Sequence, residues 1–553
     1  MRKLLVVFLA LSLLLPLPAL AVDQADLMKK IDDLSKELDR LKQQMQEMQK
    51  QEKVKEERIT KVEEKAEKPG GWPSWFEIGG DYRFRFDSLS GKINDYVQYN
   101  PFSMYAPFGP QGPIFLASPV SGYTAKNDTL LLNRFGLNLR VNPTEDITVK
   151  ARLLMYKVWG HETEAPVQGN YFADRAFGPF DGVITHVPSD NALRVDSAYA
   201  TWSNIGGAPV WFSIGRRPST GGIPGNVRQN AERIGTAGIP NIMVDYAFDG
   251  LSAGYAPDID ALPGAYIKVC YGRGFDSGYE TPTNSLKDTD FLGINVVPVD
   301  TDNLHIELQW QGGFNIFSGP SDGFPQYVDT GLMNGRPPSG SFITVTTPVK
   351  TNLGDIYWLG GVVTGKVNKV GPGDLNLFFS GAGSFTRPNS NLFSLPYFSM
   401  DGGQTFQNAG YGMLYNGAEN KANHSGWAAY LGARYDILST GTKIGLEYNY
   451  GSQYWIGMVP AADDLWTSKL GTRGSVYEVY IIQQLNRKPI AKRGNAFVRL
   501  GYQYYDFNYT GSNNWVGAPL KISELNSSDP SKAQMLAPVK NAHDIYFTFD
   551  VLF

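Results

Sequence analysis

Arginine and lysine recur at even spacings in stretches where every second residue is apolar: Arg83 and Arg85, Arg134 and Arg140, Lys150 and Arg152; Arg194 and Arg217 stand singly in two further such stretches. A two-residue period puts the members of each set on one face of an extended strand. They share that face with Glu77, Asp81, Asp87 and Asp196, which leaves it basic by about four charges. A guanidinium is a rigid fork of donors matched to carboxylate or phosphate, so such a surface could hold or guide small anions. Later in the chain the balance inverts. Asp245, Asp249, Glu307, Asp436, Glu447, Glu478, Asp544 and Asp550 outnumber Lys268, Arg434, Lys443 and Arg499 on the corresponding face. If the two faces close around one interior, one wall is positive and the other negative, and a field crosses the space between them.

Acid–base chemistry is poorly supplied. Of the five histidines, His161, His186 and His424 fall between alternating segments, and only His305 and His543 lie within them. His305 and Glu307 share a face and could form a dyad, but a solvated pair is the expectation, and no catalytic residue is assigned. Cys270 is the single cysteine, which excludes an intramolecular disulfide and cysteine-based metal or haem sites. No metal or other cofactor is expected. A net charge of −4 is too balanced for a polyanion-binding protein, so nucleic acid is not an expected partner.

These side chains need a sheet to hold them. Alternation begins at residues 76–87, where Phe76, Ile78, Tyr82, Phe84 and Phe86 oppose Glu77, Asp81, Arg83, Arg85 and Asp87. It recurs in pairs of segments joined by short turn-forming sequences: 131–141 with 147–157, 192–203 with 210–217, 242–255 with 265–272, 291–297 with 304–312, 356–367 with 375–386, 427–436 with 443–455, and 476–485 with 496–507. The last segment, 543–553, puts Ile545, Phe547, Phe549, Val551 and Phe553 on one face and Asp544, Tyr546, Thr548 and Asp550 on the other. The strands come to about sixteen, within roughly 14 to 18. Seven short turns alternate with eight long segments, among them 88–130, 313–355, 387–426 and 508–542. Past the N-terminal run no apolar stretch is long enough for a membrane helix, while aromatic residues reach 13%. An all-β, antiparallel transmembrane barrel satisfies its backbone without such runs, and at this strand number it leaves an aqueous lumen.

At the N-terminus, Arg2 and Lys3 precede an apolar run and Ala19-Leu20-Ala21, which marks residues 1–21 as a signal peptide. In residues 22–68, Leu27, Ile31, Leu34, Leu38, Leu41, Met45 and Met48 recur at spacings of four and three, and the register continues to Ile59, Val62 and Ala66. This heptad seam predicts an α-helical coiled coil whose partners are further copies of itself. Leu and Met at both core positions leave the number of copies open. Residues 69–75 form a linker, and 76–553 form the barrel.

The succession of signal, heptad rod, opening strand Gly79-Gly80-Asp81-Tyr82-Arg83-Phe84-Arg85 and the stretch Phe212-Ser213-Ile214-Gly215-Arg216-Arg217-Pro218 resembles porin-like outer-membrane proteins of Gram-negative bacteria, as does an alternating last strand with a final Phe. The resemblance implies an outer-membrane location with lipid around the barrel and the rod in the periplasm. It also implies recognition of the last strand by the barrel-assembly machinery, and a trimer as the favoured homo-oligomer. The third external loop, residues 218–240, is then expected to fold inward and narrow the lumen. It carries Arg228 and Arg233, with Glu232 as its one acid, and begins beside Arg216 and Arg217; all four arginines are candidates to line the pore. The expected function is a channel for passive diffusion of small hydrophilic solutes, not an enzyme. Arginines free in a constriction would favour anions, whereas arginines paired with wall carboxylates would merely hold the loop. An envelope-tethering or adhesion protein and a barrel sheathing a partner electron-transfer protein are the alternatives.

Overall fold

A computed structural model describes residues 73, 75–105, 115–162, 184–219, 221–233, 238–282, 284–318, 351–394, 410–417, 419–459, 463–485, 494–534 and 536–553. The expected signal and the coiled-coil seam from Leu27 to Val62 lie outside the described residues. The compact unit Trp75–Phe553 holds the barrel.

The alternating segments form sixteen antiparallel barrel strands: β1 (Phe76–Ile93), β2 (Thr124–Val141), β3 (Ile147–Val158), β4 (Arg194–Trp202), β5 (Val210–Pro218), β6 (Ala247–Tyr255), β7 (Tyr266–Phe275), β8 (Thr289–Asp300), β9 (Leu304–Phe317), β10 (Asn352–Val370), β11 (Gly373–Pro388), β12 (Ser425–Ile437), β13 (Thr442–Gly451), β14 (Gly474–Gln484), β15 (Asn495–Phe507) and β16 (Val539–Leu552). Each pairs with its neighbours in chain order. β1 also pairs with β16, so the sheet closes and has no free edge.

Alternation sets the two faces. Leu308 is 54% exposed and Leu446 64%, while the adjoining Glu307 and Glu447 are each 2% exposed. Ile214, Leu292, Leu359, Phe379, Val479 and Leu500 extend this apolar outer surface around the sheet. Toward the long-loop end of β12 to β16, Trp427 packs on Tyr450, Tyr448 on Tyr477, and Tyr504 on His543, an aromatic band above the aliphatic one.

The interior departs from an empty lumen. The loop between β5 and β6 (L3, residues 219–246) and the loop between β13 and β14 (L7, residues 452–473) turn into the barrel. The expected strand 242–255 accordingly starts only at Ala247, and the expected strand 443–455 ends at Gly451. Ile242, Met243 and Val244 are apolar in succession, which suits burial on all sides rather than one face against lipid. L3 and L7 join through their backbones, Asp245 N donating to Met458 O at 2.9 Å and Met458 N to Met243 O at 3.1 Å.

They pack on wall residues that are themselves apolar, Phe248, Phe291, Ile356, Trp358, Phe378 and Tyr430, together with Met413 and Leu414 from the β11–β12 loop (L6, residues 389–424) and Trp515 from the β15–β16 loop (L8, residues 508–538). Trp358, Trp455 and Trp515 are fully buried, and each indole donates to a carbonyl at 2.8 Å, of Ile456, Leu470 and Phe317. These bonds satisfy the one polar atom of each ring inside the core. The expected aqueous lumen is thus filled over much of its section.

The seam is closed at Gly80. Its N–H donates to Phe553 O at 2.8 Å, and Phe553 N donates back to Gly80 O at 3.0 Å. A Cβ on Gly80 would lie 2.5 Å from the Gly136 carbonyl oxygen and 2.8 Å from the Phe553 ring. Gly80→Val should therefore cost about 1–3 kcal/mol or more through overpacking against backbone, read as a reduced folded fraction in unheated gel electrophoresis of refolded protein. An undiminished folded band would show that the seam tolerates the side chain.

Candidate functional site

Two like-charge pairs face each other across adjacent strands inside the barrel. Arg83 on β1 is in register with Arg134 on β2, and Glu447 on β13 with Glu478 on β14. Like charges directly opposite repel, and the repulsion grows as water is excluded. L7 brings one residue of opposite charge to each pair. Asp463 Oδ2 sits 2.6 Å from Arg83 Nη1, and its Oδ1 is 3.8 Å from Arg134 Nη1 and 3.9 Å from Arg85 Nη1; Arg499 lies 3.9 Å away. Lys469 Nζ lies 2.6 Å from Glu478 Oε2 and also contacts Glu447 Oε2. Tyr430, Tyr480 and Tyr546 donate their hydroxyls to these two glutamates. On the basic side Arg83 is further paired with Asp550, and Arg85 with Asp87 at 2.6 Å.

L3 is pinned to the same network. Its one-turn helix, Gly225–Gln229, carries Arg228, whose Nη1 lies 2.6 Å from Asp464 Oδ1 and 3.1 Å from Glu478 Oε2. Arg499 donates to the Arg228 carbonyl at 2.7 Å, Arg434 to the Val227 carbonyl, and Lys443 to Asn230 Oδ1 at 2.6 Å. Arg233 pairs with Asp300 and donates to the Thr301 carbonyl at 2.9 Å. L3 lies inside the barrel, and both of its arginines are neutralised there rather than standing free.

The other residues singled out in the sequence divide. Arg152 pairs with Asp81 at 2.6 Å, and Arg194 with Asp190 at 2.7 Å. Arg217 is buried and donates to Ser213 Oγ at 2.9 Å and to Ser252 Oγ. Arg216 is a correction. It shares the outer face with Ile214 and pairs at 3.3 Å with Asp249, which is also outward. Consecutive residues of a strand point to opposite faces, so Arg216 and Arg217 cannot both line the interior. Asp249 was placed inside by reading 242–255 as one strand, whereas Asp245 belongs to L3. His305 also departs from expectation: it is 2% exposed, held between Asp300 at 3.0 Å and Glu307 at 3.2 Å, and is not a solvated pair.

Open space lies along β1 to β4. A cavity of about 560 Å³ is lined by Arg134, Arg140, Lys150, Arg152 and Tyr199 from the wall, with Glu77 and Asp196. Asp245 of L3, Asp463 of L7, and Thr185 and His186 of the β3–β4 loop (L2, residues 159–193) also line it, with apolar residues such as Leu139 and Leu154 between them. His186 Nε2 lies 2.9 Å from Asp196 Oδ1, which also accepts from Thr185 Oγ1 at 2.8 Å. Burial alone would pull the His186 pKa down, but the Asp196 carboxylate outweighs it, aided by Asp245, and holds it above the ordinary histidine value.

The residues that sequence reasoning missed are Asp463, Asp464 and Lys469. They carry no strand period to draw attention to them. Their one signal is the Asp463-Asp464-Leu465-Trp466 string, which sets carboxylates beside large apolar residues that a solvated loop would not bury.

A closed antiparallel barrel with an apolar outer belt, an aromatic band and charged residues inside is a transmembrane β-barrel of the outer-membrane type. The chain belongs to the family described as Protein of unknown function (DUF3373), whose model matches residues 124–553, from the start of β2 to the last residue. No curated protein matches the sequence. Similar solved structures include OmpT, an outer membrane protein of Vibrio cholerae, at 10% identity over 86% of this chain and 97% of that one, with a TM-score of 0.35. Others are Salmonella typhi OmpF in complex with daunomycin, at 10% identity over 86% and 97% with a TM-score of 0.36, and a mutant of the Rh. blastica porin, at 10% over 86% and 99% with a TM-score of 0.34.

Asp463→Asn should leave Arg83 with Asp550 alone and Arg134 with Asp81 at 3.5 Å, removing the carboxylate the two share, and cost up to about 3–5 kcal/mol, the range for breaking a buried pair from one side. Adding Arg134→Gln should recover part of that loss; both are measured by urea unfolding in detergent. A loss under about 1 kcal/mol, the range of exposed pairs, would show that water already screens the site. For His186 the raised folded pKa means that its contribution to L2 docking is complete below the unfolded pKa and is lost as pH rises through the folded value. Hydrogen exchange at residues 184–190 should accelerate across that rise, and His186→Gln should flatten the profile.

Proposed function

We propose that the protein is a diffusion pore of the outer membrane whose usable section is the cavity along β1 to β4, the rest of the lumen being occupied by L3 and L7. The observation that carries this reading is the cavity itself, lined by charged side chains of β1 to β4, while apolar clusters pack L3, L6, L7 and L8 against β6 to β12 and L7 against the long-loop ends of β1 to β3 and β14 to β16. Small hydrophilic solutes are the class such a passage admits. Any anion preference rests on Lys150 and on Arg140, whose nearest carboxylate is Glu77 at 3.9 Å, because Arg83, Arg85, Arg134, Arg152, Arg194, Arg228 and Arg233 are matched by closer carboxylates and Arg217 is buried against Ser213 and Ser252. The His305 cluster belongs to wall structure in this reading, with acids on both ring nitrogens and no catalytic role. A trimer joined by a periplasmic coiled coil, with the signal removed after Ala21, completes the proposal.

The test is planar-bilayer recording of the refolded mature protein. Discrete steps with a reversal potential displaced modestly toward the anion are expected in a salt gradient. In a Cys270→Ser background, a Val244→Cys, Met458→Cys cross-link between L3 and L7 should leave the conductance unchanged, since the route does not need them to part. Collapse of the current on cross-linking would place the route through the plug, and absence of any step would overturn the pore.

A further inference from the structure

Among the described residues, four like-charge pairs stand in direct register on the inner wall: Arg83 with Arg134, Glu447 with Glu478, Asp374 with Asp436, and Arg140 with Lys150. Three are compensated from within the chain. Asp463 serves the first and Lys469 the second, while Lys366 at 3.0 Å from Asp374 and Arg434 at 2.7 Å from Asp436 serve the third. The fourth is compensated on one side only. Arg140 has Glu77, its register partner on β1, at 3.9 Å and donates to Asn142 Oδ1 at 3.3 Å, whereas Lys150 has no carboxylate within 4.0 Å among the described residues. Both line the cavity, and Tyr199, in register with Lys150 on the next strand, lines it beside them.

We infer that Arg140 and Lys150 form a binding site for the carboxylate of a small organic anion, which takes between them the place that the Asp463 carboxylate takes between Arg83 and Arg134. Side chains directly opposite on neighbouring strands are about 5 Å apart at Cβ, so the two oxygens of one carboxylate can accept from the guanidinium and the ammonium together. Charge-assisted bonds of this kind are the strong ones. Tyr199 supplies a ring edge for an aliphatic tail. The site rests on the pore reading only for its biological use, since binding can be measured without a membrane.

The experiment is a saturation-transfer NMR titration of butyrate against the full mature chain in detergent, with inorganic phosphate as competitor and bilayer recording in parallel. Saturable butyrate binding is expected. Arg140→Gln and Lys150→Gln should each weaken it about tenfold, and Glu77→Gln, which removes the competing acid, should tighten it about threefold. Lack of saturable binding, or binding that neither glutamine variant alters, overturns the site. Tighter binding of phosphate than of butyrate overturns the carboxylate assignment. Butyrate binding without bilayer steps removes the pore and keeps the site; steps without binding do the reverse. Unheated gel mobility checks that each variant is folded.

Discussion

L7 holds the interior together by carrying one anion and one cation to opposite sides of the barrel. Asp463 enters among Arg83, Arg85, Arg134 and Arg499, and Lys469 enters between Glu447 and Glu478. Neither wall is comfortable alone, because like charges face each other across strands that hydrogen bonding has already fixed in register. Neither is the loop, since Asp463 and Lys469 are as buried as the wall residues they meet. Desolvation of so many ionised groups makes their net contribution to stability small or negative against an apolar alternative. What the arrangement does supply is specificity: the observed position of L7 brings Asp463 to the arginines while Lys469 sits between the glutamates and Asp464 meets Arg228.

With L7 placed, other features follow. Asp464 caps the Lys469 N–H at 3.1 Å and pairs with Arg228, which draws L3 inward against the acidic wall. The backbone contact between Val244 and Met458 then brings the apolar parts of both loops together, and Trp358, Trp455 and Trp515 close over them. The electrostatic and apolar contributions divide the section between them. Apolar packing fills the interior along β6 to β12 and again at the long-loop ends of β1 to β3 and β14 to β16, and a cavity along β1 to β4 keeps charge that is only partly compensated. A field across the lumen, expected from the opposed walls, is largely cancelled where L7 lies and survives beside Arg140 and Lys150.

Strand number, hairpin order and the facing of most residues were legible in the sequence because a period of two is a local property. Glu307 and Leu308 betray their faces by their neighbours alone, and the turn at Gly371 and Pro372 needs no distant partner. The reading failed where the period stopped carrying information. At Ile242, Met243 and Val244, continuous apolarity looked like a weak strand, although it marks burial on every side. At Arg216 and Arg217 two adjacent arginines were both placed inside, although the pleat allows only one. The inward course of L3 was anticipated through resemblance, and pairing of its arginines with wall carboxylates was one of the two readings left open; the part played by Asp464 of L7 was not foreseen.

The amino-acid sequence by itself determined that this chain closes a sixteen-stranded barrel with a greasy exterior, because backbone hydrogen bonding and lipid exposure act on each strand through nearest neighbours. Only the tertiary structure decided which charges remain free. Asp463 is 380 residues from Arg83, and Lys469 reaches Glu447 across an intervening loop. Compensation of a buried charge depends on distance in space and on the exclusion of water, and neither quantity exists until the sheet has closed and the loops have turned in.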